Sequence, residues 1–250
     1  MRAGALLTPS DGSDPAYLPN YAKSLESAGF DSIWSAHAMG RGFMMADPFV
    51  ALSVAATVTK VEVGTAILQL PIYHPTDVAM KALALQQVAG GRLCLGIGAG
   101  STASDYRVHG QPFTKRFQQF ETRLAALRTT FADGSAGEGN ISPWSSVAGG
   151  PPIYFGTWGK NVERAATEFD GWIASGMHRT PEQCAVALAR YRAAGGKRAI
   201  VSTIRVMPGD DLGELKARLS QFAAMGFDDA VVMIMPGGPR PDDVRALYPA

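Results

Sequence analysis

The chain is poor in cysteine, has no long apolar run and carries almost no net charge. Two cysteines, Cys94 and Cys184, stand in 250 residues. Two are too few for a disulfide framework and their spacing is no zinc motif, so reduced thiols of a cytoplasmic protein are the expectation. No apolar run reaches the roughly 18 residues needed to span a bilayer. The amino-terminal MRAGALLTPSDG breaks its short apolar stretch at Thr8-Pro9, before a signal-peptide core is complete. Lys+Arg is 23 against Asp+Glu 22, a formal charge of +1 with no basic run. That excludes the concentrated basic footprint of a nucleic-acid binder. His-x-His and His-Glu-x-x-His are both missing, so no metal site is expected.

What is present is core. Hydrophobic residues make up 46% of the chain, too many for a disordered one, and the 28 glycines show no collagen period. One junction recurs: Ala28-Gly29-Phe30-Asp31, Glu168-Phe169-Asp170-Gly171 and Met225-Gly226-Phe227-Asp228, each followed by a short apolar run. Each reads as a helix closed by Gly, a turn, and a strand buried on both faces. Eight such strands begin near residues 2, 31, 61, 92, 152, 171, 199 and 229. Most are spaced by about 30 residues, the size of a βα unit. Apolar stripes at steps of three and four fill the gaps: Leu18-Tyr21-Leu25-Ala28, Phe117-Phe120-Leu124-Leu127-Phe131 and Leu212-Leu215-Leu219-Phe222. One gap is longer, with a helix over about 115–131 and a Gly/Ser/Pro-rich stretch from Asp133 to Pro152. The pattern predicts an α/β fold, a single (β/α)8 TIM barrel spanning residues 1–250, with a doubly wound open sheet as the alternative.

Barrel active sites lie on the loops after the strands. His37, His74, His109 and His178 all fall on that side. The run Gly96-Ile97-Gly98-Ala99-Gly100-Ser101 follows strand Arg92–Leu95 but lacks dinucleotide-fingerprint spacing. Gly156-Thr157-Trp158-Gly159-Lys160-Asn161 opens a helix, where free N–H groups suit an anion. Ser175-Gly176-Met177-His178-Arg179 follows the sixth strand.

Three stretches, Gly64-Thr65-Ala66-Ile67, His74-Pro75 and the run from Gly90 to Gly100, resemble the luciferase-like monooxygenase superfamily. Asp105-Tyr106, Gly110-Gln111-Pro112-Phe113, Arg116, Glu121, Ile153 to Gly159 and Phe169 to Ile173 continue the likeness in order. The resemblance implies a (β/α)8 barrel with FMN or the deazaflavin F420 over the strand ends. A bulge on the third strand, often with a non-prolyl cis peptide, would back the ring at Ala66-Ile67. Cofactor contacts are implied from Ala66, Ile67 and Gln69, from Gly98, Ala99, Gly100 and Ser101, from Thr157, Trp158, Gly159, Lys160 and Asn161, and from Ser175 and Gly176. His37 corresponds to a histidine beside the reacting carbon and is the expected proton carrier. Trp34, Phe43, Met44 and His178 are the expected substrate walls.

The sequence departs from two branches of that family. Ser101 replaces the glutamate, and His178 the lysine, of the sugar-phosphate dehydrogenases. Ala99 stands where luciferases hold the FMN phosphate with an arginine. The expectation is therefore an F420-dependent oxidoreductase moving hydride between deazaflavin C5 and a small organic substrate. The alternatives are an FMN-dependent monooxygenase using O₂ and reduced flavin, or a flavin-binding barrel without turnover. A homodimer and a separate flavin or F420 reductase are the implied partners.

Overall fold

The computed structural model describes residues 1–250 except Pro9, Asp11 and Ala250; Pro9, where the amino-terminal apolar stretch was read to break, therefore lies outside the described residues. Among the described residues, eight parallel strands form the barrel: β1 (Arg2–Leu6), β2 (Ser32–Ser35), β3 (Glu62–Thr65), β4 (Leu93–Gly98), β5 (Ile153–Gly156), β6 (Gly171–Ser175), β7 (Ala199–Val206) and β8 (Asp229–Ile234). Each pairs with the next in parallel, and β8 pairs with β1, so the sheet closes on itself. A short strand, Leu68–Gln69, prolongs β3 along β4.

Helices α1 (Tyr17–Ser27), α2 (Pro48–Val58), α3 (Pro75–Val88), α4 (Ala103–Val108), α5 (Arg116–Asp133), α6 (Val162–Glu168), α7 (Pro181–Ala193), α8 (Leu212–Met225) and α9 (Pro241–Arg245) follow in order. Their buried faces match the predicted stripes with one shift. On α5 the buried set starts at Phe120, while Phe117 is 57% exposed. The Gly/Ser/Pro-rich stretch holds a small hairpin, Ser135–Ala136 with Gly139–Asn140. No described helix is long and apolar enough to cross a membrane.

Two of the recurring junctions behave as read: Gly29 and Gly226 take the left-handed φ of 88° and 95° that ends a helix. The third does not. Gly171 is already in β6, and a Cβ there would lie 2.2 Å from the Tyr154 ring. The shared feature is the aspartate. Asp31, Asp170 and Asp228 each accept the first free N–H of the preceding strand, from Ala3 at 2.7 Å, Ile153 at 2.7 Å and Ala199 at 2.6 Å. These acceptors satisfy donors that would otherwise be left unpaired at the strand starts.

The amino-terminal end of the barrel is closed by charge. Arg198 reaches Glu62 and Asp229, both at 2.7 Å, and the Tyr154 hydroxyl at 3.2 Å. Arg2 adds contacts to the same two acids at 3.3 and 3.4 Å. Burial opposes the Glu62 charge, but Arg198 and Arg2 outweigh it and hold its carboxyl below the usual range. Burial pushes the neighbouring Cys94 thiol up to about 12, so it is inert. Arg198→Met leaves two acids facing Arg2 alone. Urea unfolding should show a loss of about 3 kcal/mol; a loss under about 1 kcal/mol would mean that hydration carries these charges instead.

Candidate active site

The opposite end of the barrel holds the predicted histidine. β3 bulges there: Gly64 pairs with Cys94 and Leu68 with Ile97, four steps against three. The Ala66–Ile67 bond within the bulge is cis. The bulge brings the Thr65 carbonyl so close to β4 that a Cβ at Gly96 would lie 2.0 Å from it. Gly96 and Gly98 are thus strand residues that make room for β3, not members of a loop after the strand. The Ile67 side chain then packs over Gly98 and Gly156, where added Cβ atoms would meet it at 2.9 and 2.4 Å.

His37 follows β2 and is only 6% exposed. Its N–H donates to the Ile67 carbonyl at 3.1 Å, and its own carbonyl accepts from Gln69 Nε2 at 3.1 Å. Gln69 also donates to Asp105 Oδ2 at 2.6 Å, and its Oε1 is buried without a partner. Gly100, in left-handed conformation, lies against that Gln69 amide. Asp105 is fully buried and takes Arg41 Nε at 2.9 Å, Arg41 Nη2 at 2.5 Å and the Met39 N–H at 3.2 Å. Burial works against its charge, yet Arg41 and Gln69 keep its carboxyl low. One buried carboxylate therefore ties the loop after β2 to α4 and to the β3 extension.

The His37 ring is different. Both nitrogens are buried without a hydrogen-bond partner. The ring sits 5.0 Å from Tyr73 and 5.8 Å from His109, centroid to centroid. Tyr73 in turn donates to Asp47 at 3.3 Å. Burial and the nearby His109 lower the His37 pKa to about 4, with Asp105 and Asp47 opposing. At neutral pH it is an uncharged imidazole able to take a proton on one nitrogen and give one from the other. Ile67 fills the room left by Gly98 and Gly156 and Gln69 that beside Gly100, while the polar atoms of His37 and Gln69 Oε1 stay without partners.

Ala66, Ile67, Gln69, Gly98, Gly100 and His37 come together. Ala99 lends its carbonyl to the Tyr106 hydroxyl at 2.5 Å, and Ser101 is exposed. Thr157 to Asn161 form a half-exposed rim instead of an open helix start. Gly159–Asn161 is a 3-10 turn whose first carbonyl already takes the Val162 N–H, and α6 has 7 residues. Lys160 is exposed. Ser175 and Gly176 close β6, with the Gly176 N–H on the Ser202 carbonyl at 2.6 Å. Of the expected substrate walls, Trp34 has no exposed surface: it fills the barrel interior, its indole donating to Ser32 Oγ at 2.8 Å. Met44 is 85% and Phe43 49% exposed, and His178 is exposed, so none of these forms an enclosed wall. His74 caps α3. His109 was placed on this side and Asp105 in the family likeness, but neither was given a role, and Arg41 and Tyr73 were not expected at the site; the 64 positions from Arg41 to Asp105 hide their pairing in the linear chain.

The family model for luciferase-like monooxygenases matches residues 2–236. The chain belongs to that family. Among curated relatives, 4-hydroxyprotoasukamycin monooxygenase of Streptomyces nodosus subsp. asukaensis is 32% identical over 43% of this chain and 31% of its own length. A Mycobacterium tuberculosis protein, provisionally named a coenzyme F420-dependent oxidoreductase, is 26% identical over 90% of this chain and 72% of its own. The chain thus spans about a third of the first relative and most of the second. Two solved structures share the fold: the coenzyme F420-dependent tetrahydromethanopterin reductase of Methanopyrus kandleri (TM-score 0.75, 16% identity, 98% of this chain and 96% of that one). The other is the oxygenating constituent of 3,6-diketocamphane monooxygenase of Pseudomonas putida with FMN (TM-score 0.67, 20% identity, 87% and 70%).

The His37 environment has a measurable signature. Its folded pKa, about 4, lies below the unfolded value of about 6.5. Its neutral form therefore supports the fold fully above about pH 6.5, and that support is lost as pH falls toward 4. Relative to His37→Gln, the wild-type chain should lose about 2 kcal/mol of stability between pH 7.5 and pH 5. Parallel urea titrations at the two pH values check this; an unchanged difference would mean that His37 is hydrated.

Proposed function

We propose that this luciferase-like barrel is an F420-dependent oxidoreductase acting on a small organic substrate. The observation that carries the reading is the His37 ring, neutral, buried and unpartnered at the strand ends. Hydride transfer to or from a carbon next to oxygen or nitrogen requires a proton to move at that heteroatom, which a positioned imidazole provides. Bound deazaflavin supplies the hydride donor or acceptor, at C5. The chain's part is to place and tune. Ile67 and the flanking glycines offer a close backing wall, Gln69 and Asp105 fix the His37 backbone, and His37 holds the proton. Ala99 stands where luciferases hold the FMN phosphate with an arginine, which weakens the luciferase-type FMN reading. A second reading, an FMN monooxygenase fed by a separate reductase, draws support from the 32% identity to 4-hydroxyprotoasukamycin monooxygenase over 43% of this chain.

Fluorescence titration of the purified protein with F420 and with FMN separates the two. Micromolar or tighter F420 binding with weak FMN binding is expected; the reverse replaces the first reading with the second. His37→Ala should leave cofactor affinity nearly intact and lower turnover roughly 10²–10⁴-fold. Unchanged turnover would take the proton-carrying role away from His37.

A further inference from the structure

β7 carries a bulge of its own. Val201 pairs with Ala230 and Ile204 with Val232, three steps against two. Within it Thr203 has φ 62°, a left-handed backbone that β-branched residues seldom adopt. The consequence is a reversal of side-chain direction. Before the bulge Ile200 packs in the barrel interior, while Ala199 and Val201 face the helices. Unbroken alternation would send Arg205 to the helix side with Val201. The extra residue instead puts Ile204 and Val206 on the helix side. Arg205, paired with Met233 of the interior face, turns toward the barrel axis at its carboxyl-terminal end. Bulges beside active sites commonly re-aim a side chain in this way.

Arg205 has no hydrogen-bond or ion-pair partner among the described residues. It lines a cavity of about 310 Å³ with Gly176, Met177, Met207, Asp210 and Arg218. The cavity also holds one other cation and one anion. Arg218 donates to the Gly176 carbonyl, and Asp210 accepts the Met207 N–H at 2.7 Å without an ion pair to Arg205. β7 lies four strands from β3 in either direction around the barrel, so exposed Arg205 stands at the carboxyl-terminal rim across from the strand that carries Ile67 and Gln69.

We propose that Arg205 binds a carboxylate carried by the substrate, and that the β7 bulge exists to present it. The inference rests on the proposed function only in placing the reaction at this mouth. An unpaired guanidinium aimed into a cavity selects for planar anions, which it meets with two parallel hydrogen bonds.

The test is calorimetric titration with benzoate and with benzamide, its neutral counterpart, on the protein alone and loaded with whichever cofactor it binds. Benzoate should bind at least about 10-fold tighter than benzamide, as a charge-assisted contact implies. Arg205→Gln should bring the ratio near one, and Arg205→Lys should retain part of it. Equal binding of the two probes by the wild-type protein, or a preference that survives Arg205→Gln, overturns the proposal. Weakened F420 or FMN binding by Arg205→Gln, without a benzoate preference to lose, assigns the cation to the cofactor and also overturns it. A protein that binds neither cofactor but prefers benzoate through Arg205 keeps this inference while the proposed function fails.

Discussion

Room inside the barrel is the constraint on which the rest depends. Trp34 lies between Gly4 on β1 and Gly64 on β3, where added Cβ atoms would come within 3.0 and 2.4 Å of its ring. Tyr154 finds the same allowance at Gly171 on the adjacent β6. Two aromatic side chains thus fill the axis, and glycines on neighbouring strands yield the volume. Interiors pack to crystal-like density, so exchanging these partners cannot be neutral. The filled axis also separates two chemistries. Below it, four charged side chains neutralise one another; above it, polar atoms of His37 and Gln69 have no partner.

The upper end is organised by one extra residue in β3. Because that strand bulges, the Thr65 carbonyl crowds β4 and only glycine fits at position 96. The same displacement places the Ile67 carbonyl where the His37 N–H can reach it. Asp105 then joins this corner to the loop after β2 through Arg41. A fully buried carboxylate with four donor contacts is a rigid support, since removing any partner would leave part of a charge uncompensated.

Much of this was legible in the chain. Each of the eight expected strand starts lies within one residue of the observed one, because short apolar runs repeating at the βα period have few other uses. The bulge at Ala66-Ile67 came from family likeness and not from any local pattern. The Asp105 network, the direction of Arg205 and the burial of Trp34 were not legible. The first depends on partners 36 to 66 residues apart, and the second on a bulge for which Ser202-Thr203 carries no Gly signal. Trp34 follows from interior volume, which only the closed barrel defines. The rim at Thr157–Asn161 looked like a free helix start; the intervening 3-10 turn consumes an amide that such a start would offer.

The aspartates at the strand starts differ from the charge cluster beside them in how much chain they enclose. Asp31, Asp170 and Asp228 bond to residues only 28, 17 and 29 positions away, each closing one βα unit. Arg198 and Glu62 are 136 positions apart. The entropy lost on closing a loop grows with its length, so the short latches can form while most of the chain is still free. The long ion pair becomes favourable once β3 and β7 already stand on opposite sides of a ring. Local contacts of this kind lower contact order and favour rapid assembly: the barrel is a series of neighbouring pairs, tied across its base by one long-range ion pair.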